Sequence, residues 1–275
     1  MSSRRDVAGL TWSERIFLRV WCVPPPPAPF EPRDTYDPSQ PRAMDPDPLA
    51  RTRRVYGDRL ERAIKDRVFL DIGCGPGEQV IAAAKAGARL AVGVDRLELH
   101  VAMGTKSAED HDLADRVKFT TDTVRMLGTE WADVALSQNS FEHFDDPAAI
   151  LEQAYEALKP GGQFFVTFGP SWWHPYGVHN MFMIRLPWAH GIFSERTILR
   201  VRQLYRPNKP TCWREVALNQ MTIAKLLRLV RASRFSLSYF SVTPIRPLPR
   251  WLVRLRPFRE WTTADVSVIL TKPRS

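Results

Sequence analysis

A chain of 275 residues can hold one large domain or two small ones around a substantial core. Its apolar fraction of 44% and charged fraction of 25% are typical of soluble globular proteins. Its three cysteines form no CxxC pair, which excludes a disulfide framework and a cysteine zinc site. No signal peptide opens the chain, and prolines interrupt its longest uncharged run (161–184), so we expect a cytoplasmic protein.

The net charge of +9 is unevenly distributed along the chain. Residues 1–160 carry a net charge of −5, whereas residues 161–275 carry +14. Such a surplus suggests an anionic partner for the second half: an acidic small molecule, a membrane surface or nucleic acid. Composition offers another explanation, because Arg outnumbers Lys by 31 to 8, as a GC-rich genome would produce.

Three zones are visible along the sequence. Residues 1–23 form an N-terminal amphipathic segment, in which residues 4–23 predict a helix with apolar side chains towards one side. We expect this helix to pack on the rest of the protein or to touch a membrane surface. Residues 24–48 contain ten of the 23 prolines and predict an extended linker. A globular domain is predicted over residues 50–275.

Within this domain, short apolar runs alternate with segments of helical periodicity, which is typical of a parallel sheet covered by helices. Residues 159–162, Lys-Pro-Gly-Gly, predict a helix stop and a turn. The predicted strands are Val68–Ile72, Leu90–Val94, Val117–Thr120, Asp133–Ser137, Gln163–Phe168, Phe235–Val242 and Ala264–Thr271. The predicted helices are Glu78–Ala86, Leu97–Glu109, Pro147–Leu158 and Thr222–Ser233.

A glycine-rich loop follows the first predicted strand. Gly73, Gly75 and Gly77 stand at alternate positions before a helix. Glycine permits a tight turn and close approach of a ligand, and a helix N-terminus offers free N–H groups and a positive dipole end. A dinucleotide fingerprint, GxGxxG, would need glycine at position 78, where Glu78 stands. This departure argues against a nicotinamide or flavin cofactor.

Acidic residues follow the next two predicted strands. Asp95 lies at the tip of the second strand, where a carboxylate can accept hydrogen bonds from both hydroxyls of a ribose. Asp122 follows the third strand, and its carboxylate could accept from the exocyclic amine of an adenine. Either acid alone could be a helix cap or a solvated loop residue. Together with the glycine loop, they predict an adenosine site at the carboxyl edge of the sheet.

The ordered motifs LDIGCGPG, VGVDR, TTDT, ALSQNSFEHFDDP and ALKPGGQFFVTFGP cover residues 68–169. This set resembles class I S-adenosylmethionine-dependent methyltransferases, and within them the branch acting mostly on small molecules such as quinones and sugars. The resemblance implies a Rossmann-like, seven-stranded, mostly parallel sheet with helices on both faces, an antiparallel last strand, and S-adenosylmethionine as cofactor. It also implies a cofactor site with Gly73, Gly75 and Gly77 at the methionine part and Asp71 nearby, Asp95 at the ribose, Asp122 and Thr123 at the adenine, and Ser137 near the methionyl amine. Arg96, next to Asp95, is a further candidate cofactor-binding residue.

An aromatic-rich insertion is predicted after the fifth strand, over about residues 170–215. Its stretches Trp172–His179 and Leu186–His190 resemble segments of bacterial methyltransferase-like proteins, a resemblance that fixes no reaction. The insertion is too long for a simple connection and lies at the carboxyl edge. It could close over a substrate and exclude water, or its aromatic side chains could simply pack a small core.

The candidate catalytic base is His143, which follows the fourth strand near the expected position of a methyl acceptor. Imidazole has an ordinary pKa of about 6.5 and is a suitable base near neutral pH. His174 and His179 are the alternatives, and His143 could instead be a helix-end residue bonded to backbone. No spacing such as HExxH is present, so no metal site is predicted.

These features predict a methyltransferase that acts on a small molecule or glycan precursor, at oxygen rather than nitrogen or carbon. The expected acceptor is anionic or amphipathic, and peripheral membrane contact is compatible with the charge. The alternatives are a nucleic-acid (RNA) methyltransferase that uses the basic second half, and a non-catalytic protein that binds S-adenosylmethionine. Neither an Asn-Pro-Pro-Tyr-type tetrad nor a cysteine nucleophile follows the fourth strand, which argues against nucleic acid. The sequence does not fix the acceptor or the oligomeric state.

Overall fold

The computed structural model describes residues 10–23, 46–179, 183–205 and 209–274. Its strands are β1 Val68–Ile72, β2 Leu90–Val94, β3 Val117–Thr120, β4 Ala132–Gln138, β5 Leu158–Phe168, β6 Ser236–Pro244 and β7 Thr263–Thr271. They form one seven-stranded sheet in the order β3-β2-β1-β4-β5-β7-β6. The first five strands pair in parallel, and β7 runs antiparallel to both β5 and β6. The predicted Rossmann-like sheet and its antiparallel last strand are confirmed.

The helices predicted at residues 78–86, 97–109, 147–158 and 222–233 are confirmed with bounds that differ by at most one residue. The helices at residues 50–56, 59–64, 189–192, 195–202 and 259–262 were not predicted. The side chain of Asp146 caps the helix that begins at Pro147, and Thr222 caps the helix that begins at Ile223. The helices are α1 Trp12–Trp21, α2 Ala50–Tyr56, α3 Arg59–Ile64, α4 Glu78–Lys85, α5 Glu98–Asp110, α6 Pro147–Ala157, α7 Ala189–Ile192, α8 Glu195–Arg202, α9 Ile223–Ala232 and α10 Arg259–Thr262. Short 3₁₀ turns lie at Val124–Leu127, Trp213–Val216 and Leu252–Arg254.

Both faces of the sheet are covered by helices, as predicted. Successive side chains of a strand point to opposite faces, and this alternation divides the core in two. Phe69 lies in a cluster with residues of α2, α3, α4 and α5, whereas Leu70 lies in a cluster with residues of α6 and α9. Both side chains are fully buried. The carboxyl ends of β1 to β5 therefore meet at one edge, between the two helical layers.

The predicted turn at residues 159–162 is wrong, although the helix does stop before it. Residues 158–162 form the irregular beginning of β5. Ala132 of β4 pairs with Leu158, whereas Val134 pairs with Gln163, so the extra residues bulge out of the ladder. Gly161 has a φ of +81°, which suits glycine at such a bulge.

The N-terminal helix α1 packs on the insertion that follows β5. Phe17 is buried, and its ring centroid lies 4.3 Å from that of Phe193. Cys22 forms a β-bridge with Ile184, and Glu14 is ion-paired with the insertion's α8. The helix and the insertion thus share a third hydrophobic cluster. Of the predicted linker, residues 24–45 lie outside the described part of the chain.

Candidate active site

The glycine loop between β1 and α4 has the backbone conformation that its sequence predicts. Gly73, Gly75 and Gly77 have φ values of +77°, +53° and +89°. A Cβ on Gly73 would lie 2.7 Å from the Cβ of Ser140, whereas a Cβ on Gly75 would meet nothing within 4 Å. The backbone at Gly75 is therefore open to a ligand, while Gly73 is held against the chain beyond β4.

The aromatic ring of Phe119 packs against this loop. A Cβ added at Gly77 would lie 2.4 Å from the ring of Phe119, one added at Gly93 would lie 2.6 Å from it, and one added at Gly104 would lie 2.7 Å from it. The three glycines belong to the loop, to β2 and to α5, and Phe119 belongs to β3. The absence of three side chains allows the ring to pack between these elements, which fixes the loop against the sheet.

Asp95 lies at the tip of β2, facing the glycine loop. Its carboxylate accepts hydrogen bonds from the backbone N–H groups of Gly75 at 2.9 Å and Leu97 at 3.0 Å. His100 places Nδ1 3.1 Å from the same carboxylate. The acid is thus fixed in position before any ligand arrives.

A cavity of about 590 Å³ opens in front of the loop, and we call it the glycine-loop cavity. Asp122 also lines this cavity, and it accepts a hydrogen bond from the hydroxyl of Thr120 at 2.8 Å. The carboxyl ends of β1, β2 and β3 thus contribute to one concave surface, as the order of the motifs predicted. The predicted cofactor residues that line the cavity are Gly73, Gly75, Asp95, Arg96, Asp122 and Thr123.

Asp71, Gly77 and Ser137 are not part of the cavity wall. Asp71 is buried in β1, where burial and the nearby Asp95 carboxylate raise its pKa to about 8. Ser137 is also fully buried, because β4 continues beyond it to Gln138. Ser140 lines the cavity instead, and its hydroxyl donates to the Gly73 carbonyl at 2.8 Å. Sequence reasoning missed Ser140 because it placed the end of the strand too early.

His143 lies where the glycine-loop cavity meets a second cavity, and it lines both. Its Nδ1 is 2.6 Å from the backbone carbonyl oxygen of Ala217. Because a carbonyl only accepts, Nδ1 carries a proton in this hydrogen bond, and Nε2 is the ring nitrogen that does not take part in it. The side chain is therefore bonded to backbone, as one of the two predicted alternatives has it, and its role as a base stays a prediction.

The second cavity, about 460 Å³, lies between the end of β5 and the insertion, and we call it the histidine cavity. The His179 ring centroid is 5.1 Å from that of His143. Burial, with a further contribution from His143, lowers the pKa of His179 to about 4, so its imidazole is neutral at pH 7. Burial also lowers the pKa of His174. The wall of the histidine cavity includes Asn139, Glu142, His143, His174, Tyr176 and His179.

Glu142 brings a buried carboxylate to the two imidazoles. Its Oε1 accepts a hydrogen bond from the N–H of Gly169 at 3.2 Å, and burial raises its pKa while the adjacent His143 opposes the shift. Within the described residues, Glu142 Oε2 and His179 Nε2 have no hydrogen-bond partner. Ligand atoms of Glu142, His143 and His179 lie within 4.8 Å of one another, an arrangement that a divalent metal ion could use. Sequence reasoning missed the cluster because His179 reaches it only through the fold.

Part of the aromatic insertion packs internally rather than towards the cavity. Trp172 contacts Trp213 and His190 edge-on, with ring centroids 5.4 and 4.9 Å apart. The indole N–H of Trp188 donates to the Trp173 carbonyl at 2.9 Å. The insertion therefore has a small core of its own, and it presents His174, Tyr176 and His179 to the histidine cavity.

Three comparisons bear on this arrangement. Residues 69–162 match the family model described as a methyltransferase domain. A ubiquinone biosynthesis O-methyltransferase from Parvibaculum lavamentivorans is 33% identical over 109 residues, which are 40% of this chain and 43% of that protein. The chain thus spans less than half the length of this curated relative.

Solved structures share the fold across most of the chain. Geranyl diphosphate C-methyltransferase from Streptomyces coelicolor A3(2) has a TM-score of 0.54 at 16% identity, covering 81% of this chain and 77% of that one. The [4+2]-cyclase SpnF has a TM-score of 0.53 at 17% identity, covering 80% and 82%. At these identities the likeness shows the fold alone, and a cyclase with this fold illustrates that the fold does not dictate the reaction. The family match adds what the fold cannot: residues 69–162 are similar to a methyltransferase domain, in agreement with the class I, S-adenosylmethionine-dependent family that the motifs predict.

Proposed function

We propose that the protein transfers a methyl group from S-adenosylmethionine to an oxygen of a small molecule or glycan precursor. The observation that carries the proposal is the position of His143, in the wall shared by the glycine-loop cavity and the histidine cavity. A donor in the first cavity and an acceptor in the second would meet at this side chain. Reactions of this type depend on alignment, exclusion of water and removal of a proton.

The residues of the glycine-loop cavity fit S-adenosylmethionine. The open backbone at Gly75 suits close approach of the methionine part, and the Asp95 carboxylate already faces this backbone. Asp95 and Arg96 would hold the ribose, and Asp122 and Thr123 the adenine. When bound, the cofactor supplies a methyl group that its sulfonium has already activated.

The protein's own contribution to the chemistry centres on His143. Nε2, the ring nitrogen that is not bonded to the Ala217 carbonyl, would accept the proton of an acceptor hydroxyl. The Ala217 carbonyl, which accepts the hydrogen bond from Nδ1, holds the ring in place and stabilises the imidazolium that forms. His174 and Tyr176, from the insertion, also line the histidine cavity and would orient the acceptor while water is excluded.

The size and lining of the histidine cavity favour a small acceptor. About 460 Å³, lined by side chains of the insertion, suits a small molecule or the end of a longer one. A nucleic-acid substrate would need an open groove around its target base or an extruded base. The nucleic-acid alternative is therefore the weaker proposal, and the non-catalytic one leaves the lone pair of His143 without a role.

A labelling experiment tests the proposal without knowing the acceptor. The full-length protein is incubated with methyl-labelled S-adenosylmethionine and a cell extract separated into small-molecule, lipid and nucleic-acid fractions. Label in the small-molecule or lipid fraction, as a methyl ether by mass spectrometry, supports the proposal. Label confined to nuclease-sensitive material, or absence of S-adenosylmethionine binding by calorimetry, contradicts it. A chelator arm separates base catalysis by His143, which survives chelation, from a role of Glu142, His143 and His179 as metal ligands.

A further inference from the structure

The connection from β6 to β7 exposes a concentration of large apolar side chains. Fourteen such side chains are exposed in the described part of the chain, and five of them lie between positions 248 and 261. Trp251 and Phe258 are 57% and 55% exposed. Exposed apolar side chains are normally scattered singly, and a contiguous patch marks an interaction surface. The five are Leu248, Trp251, Leu255, Phe258 and Trp261.

This exposure belongs to a well-anchored segment. Between Leu252 and Trp261, backbone N–H groups repeatedly donate to the carbonyl three residues earlier, so the chain forms a series of tight turns. Val253 is buried beneath them, and its carbonyl accepts a hydrogen bond from Arg259 at 2.8 Å. Glu260 accepts from two backbone N–H groups at the start of α9. The apolar side chains are therefore held outward by a folded support.

Arginines alternate with these apolar side chains. Arg246, Arg250, Arg254 and Arg256 are all exposed, and within the described residues none of the four has an ion-pair partner. The one acid of the segment, Glu260, is engaged by α9. Residues 245–262 thus carry a net charge of +4 and present it beside exposed tryptophan, leucine and phenylalanine.

We propose that residues 245–262 are a docking surface for an anionic phospholipid bilayer. The apolar side chains would enter the boundary between headgroups and acyl chains, where tryptophan is favoured, while the arginines contact lipid phosphates. A nucleic acid would satisfy the arginines but leave the outward Trp251, Leu255 and Phe258 in water. A second copy of the chain would bury them but bring two +4 surfaces together.

The surface adjoins the proposed acceptor site. Trp261 stacks on Trp173 of the insertion with ring centroids 5.0 Å apart, and Ala264 and Asp265 line the histidine cavity. Docking would bring that cavity close to the bilayer, where an amphipathic acceptor would reside. The docking itself does not rest on methyl transfer, so it is measured by binding alone.

The test is co-sedimentation of the full-length protein with vesicles of phosphatidylcholine, with or without phosphatidylglycerol. We expect binding to the anionic vesicles that weakens as salt is added. Replacing Arg250 and Arg254 together by Gln should weaken binding roughly 30-fold, since each basic side chain near an anionic surface contributes about 1 kcal/mol. Replacing Trp251 and Phe258 together by Ser should also abolish sedimentation at low lipid.

Two matched variants serve as controls, with folding checked by circular dichroism. Arg89→Gln with Lys118→Gln removes two exposed cations, the second from β3 at the opposite sheet edge from β6. Trp12→Ser removes the aromatic side chain of α1 that is 79% exposed. Both should bind vesicles like the wild type. The proposal is overturned if only Trp12→Ser loses binding, or if the protein ignores all vesicles. If the protein binds no vesicles, RNA binding would identify a nucleic acid as the partner. A dimer that dissociates when Trp251 and Phe258 are substituted would instead identify a second copy of the chain.

Discussion

In the wall of the glycine-loop cavity, the carboxylate of Asp95 accepts a hydrogen bond from the Gly75 N–H at 2.9 Å. The tip of β2 is thereby tied to the middle of the loop that follows β1. An acid held in this way is fixed for a ligand, and it also helps to hold the loop in its left-handed conformation. Its removal should therefore affect ligand affinity in two ways.

Asp95→Ala should weaken S-adenosylmethionine binding by about 10- to 150-fold. Loss of the acceptor leaves two ribose hydroxyls poorly paired, at a cost of roughly 1.5–3 kcal/mol. Calorimetry on the folded variant measures the effect. Glu98→Ala removes an exposed acid three residues away and should leave the dissociation constant unchanged. An unchanged constant for Asp95→Ala would mean that the cofactor binds elsewhere.

His143→Ala should lower turnover by about 10²- to 10⁴-fold, the usual contribution of a positioned general base. Affinity for S-adenosylmethionine should stay within a few-fold, and added imidazole should partly restore the rate. Steady-state kinetics with the acceptor found by labelling provide the measurement, and His111→Ala, at an exposed end of α5, is the control. Full turnover of His143→Ala would assign His143 a structural role, and His174 or His179 would then be the candidate base. If all three substitutions are silent, methylation at oxygen is the wrong assignment.

Asp71→Asn should change how the free energy of unfolding depends on pH. Burial raises the pKa of Asp71 to about 8 in the folded protein, whereas an unfolded carboxyl has a pKa of about 3.9. Between these values the folded state holds a proton that the unfolded chain releases, so stability falls as pH rises, by roughly 6 kcal/mol in total. The asparagine amide does not ionise, so Asp71→Asn removes this fall in the free energy of unfolding at high pH. Urea unfolding of the ligand-free protein should find Asp71→Asn more stable than the wild type at pH 9, with a smaller difference at pH 5.

The control for Asp71→Asn is Asp115→Asn, which neutralises an exposed carboxylate. This variant should unfold like the wild type at both pH values. Equal stability of Asp71→Asn and the wild type at pH 9 would show that Asp71 is ionised in the folded state and compensated there.

Deleting residues 1–45 should leave S-adenosylmethionine affinity unchanged within about three-fold while lowering thermal stability. The glycine-loop cavity takes no wall residue from α1, whereas Phe17 of α1 is buried against the insertion, and burying a phenylalanine is worth about 1.5–3 kcal/mol. Calorimetry and thermal unfolding provide the two readings. Phe17→Ala should reproduce the loss of stability without the deletion. A large fall in affinity would show instead that the N-terminal segment completes the cofactor site.

Local sequence signals predicted the sheet well. Observed β1, β2 and β3 have the predicted bounds. β1 and β2 are short runs of mostly buried residues, whereas in β3 only Val117 is buried and the β-branched and aromatic residues of the strand gave the signal. The start of α6 was predictable from Asp146 and Pro147, a side-chain cap followed by a residue suited to the first helical turn. The cofactor residues followed from these elements, because a parallel sheet brings its strand ends to one edge.

What local signals could not supply depends on tertiary packing. Ser140 replaces Ser137 at the cavity because β4 extends further than its apolar run. The approach of His179 to Glu142 requires the insertion to fold back over the sheet edge. The basic second half was visible as a charge, but the exposure of Trp251 among its arginines follows only from which side chains the connection buries. No helix in the described ranges has the length and apolarity to cross a bilayer.

The packing of Phe119 against three glycines also limits how this sequence can change over time. A methyl group gained at position 77, 93 or 104 would collide with the ring, so each of these positions tolerates substitution only after position 119 has become smaller. A smaller residue at 119, in turn, leaves a void that a side chain at position 104 can fill, whereas Gly77 has a left-handed φ and a Cβ on Gly93 would also lie 2.8 Å from Cys74 Sγ. Positions 104 and 119 should therefore be inherited as a pair, with an exchange such as Phe119→Leu with Gly104→Ala being viable where the glycine substitution alone is not.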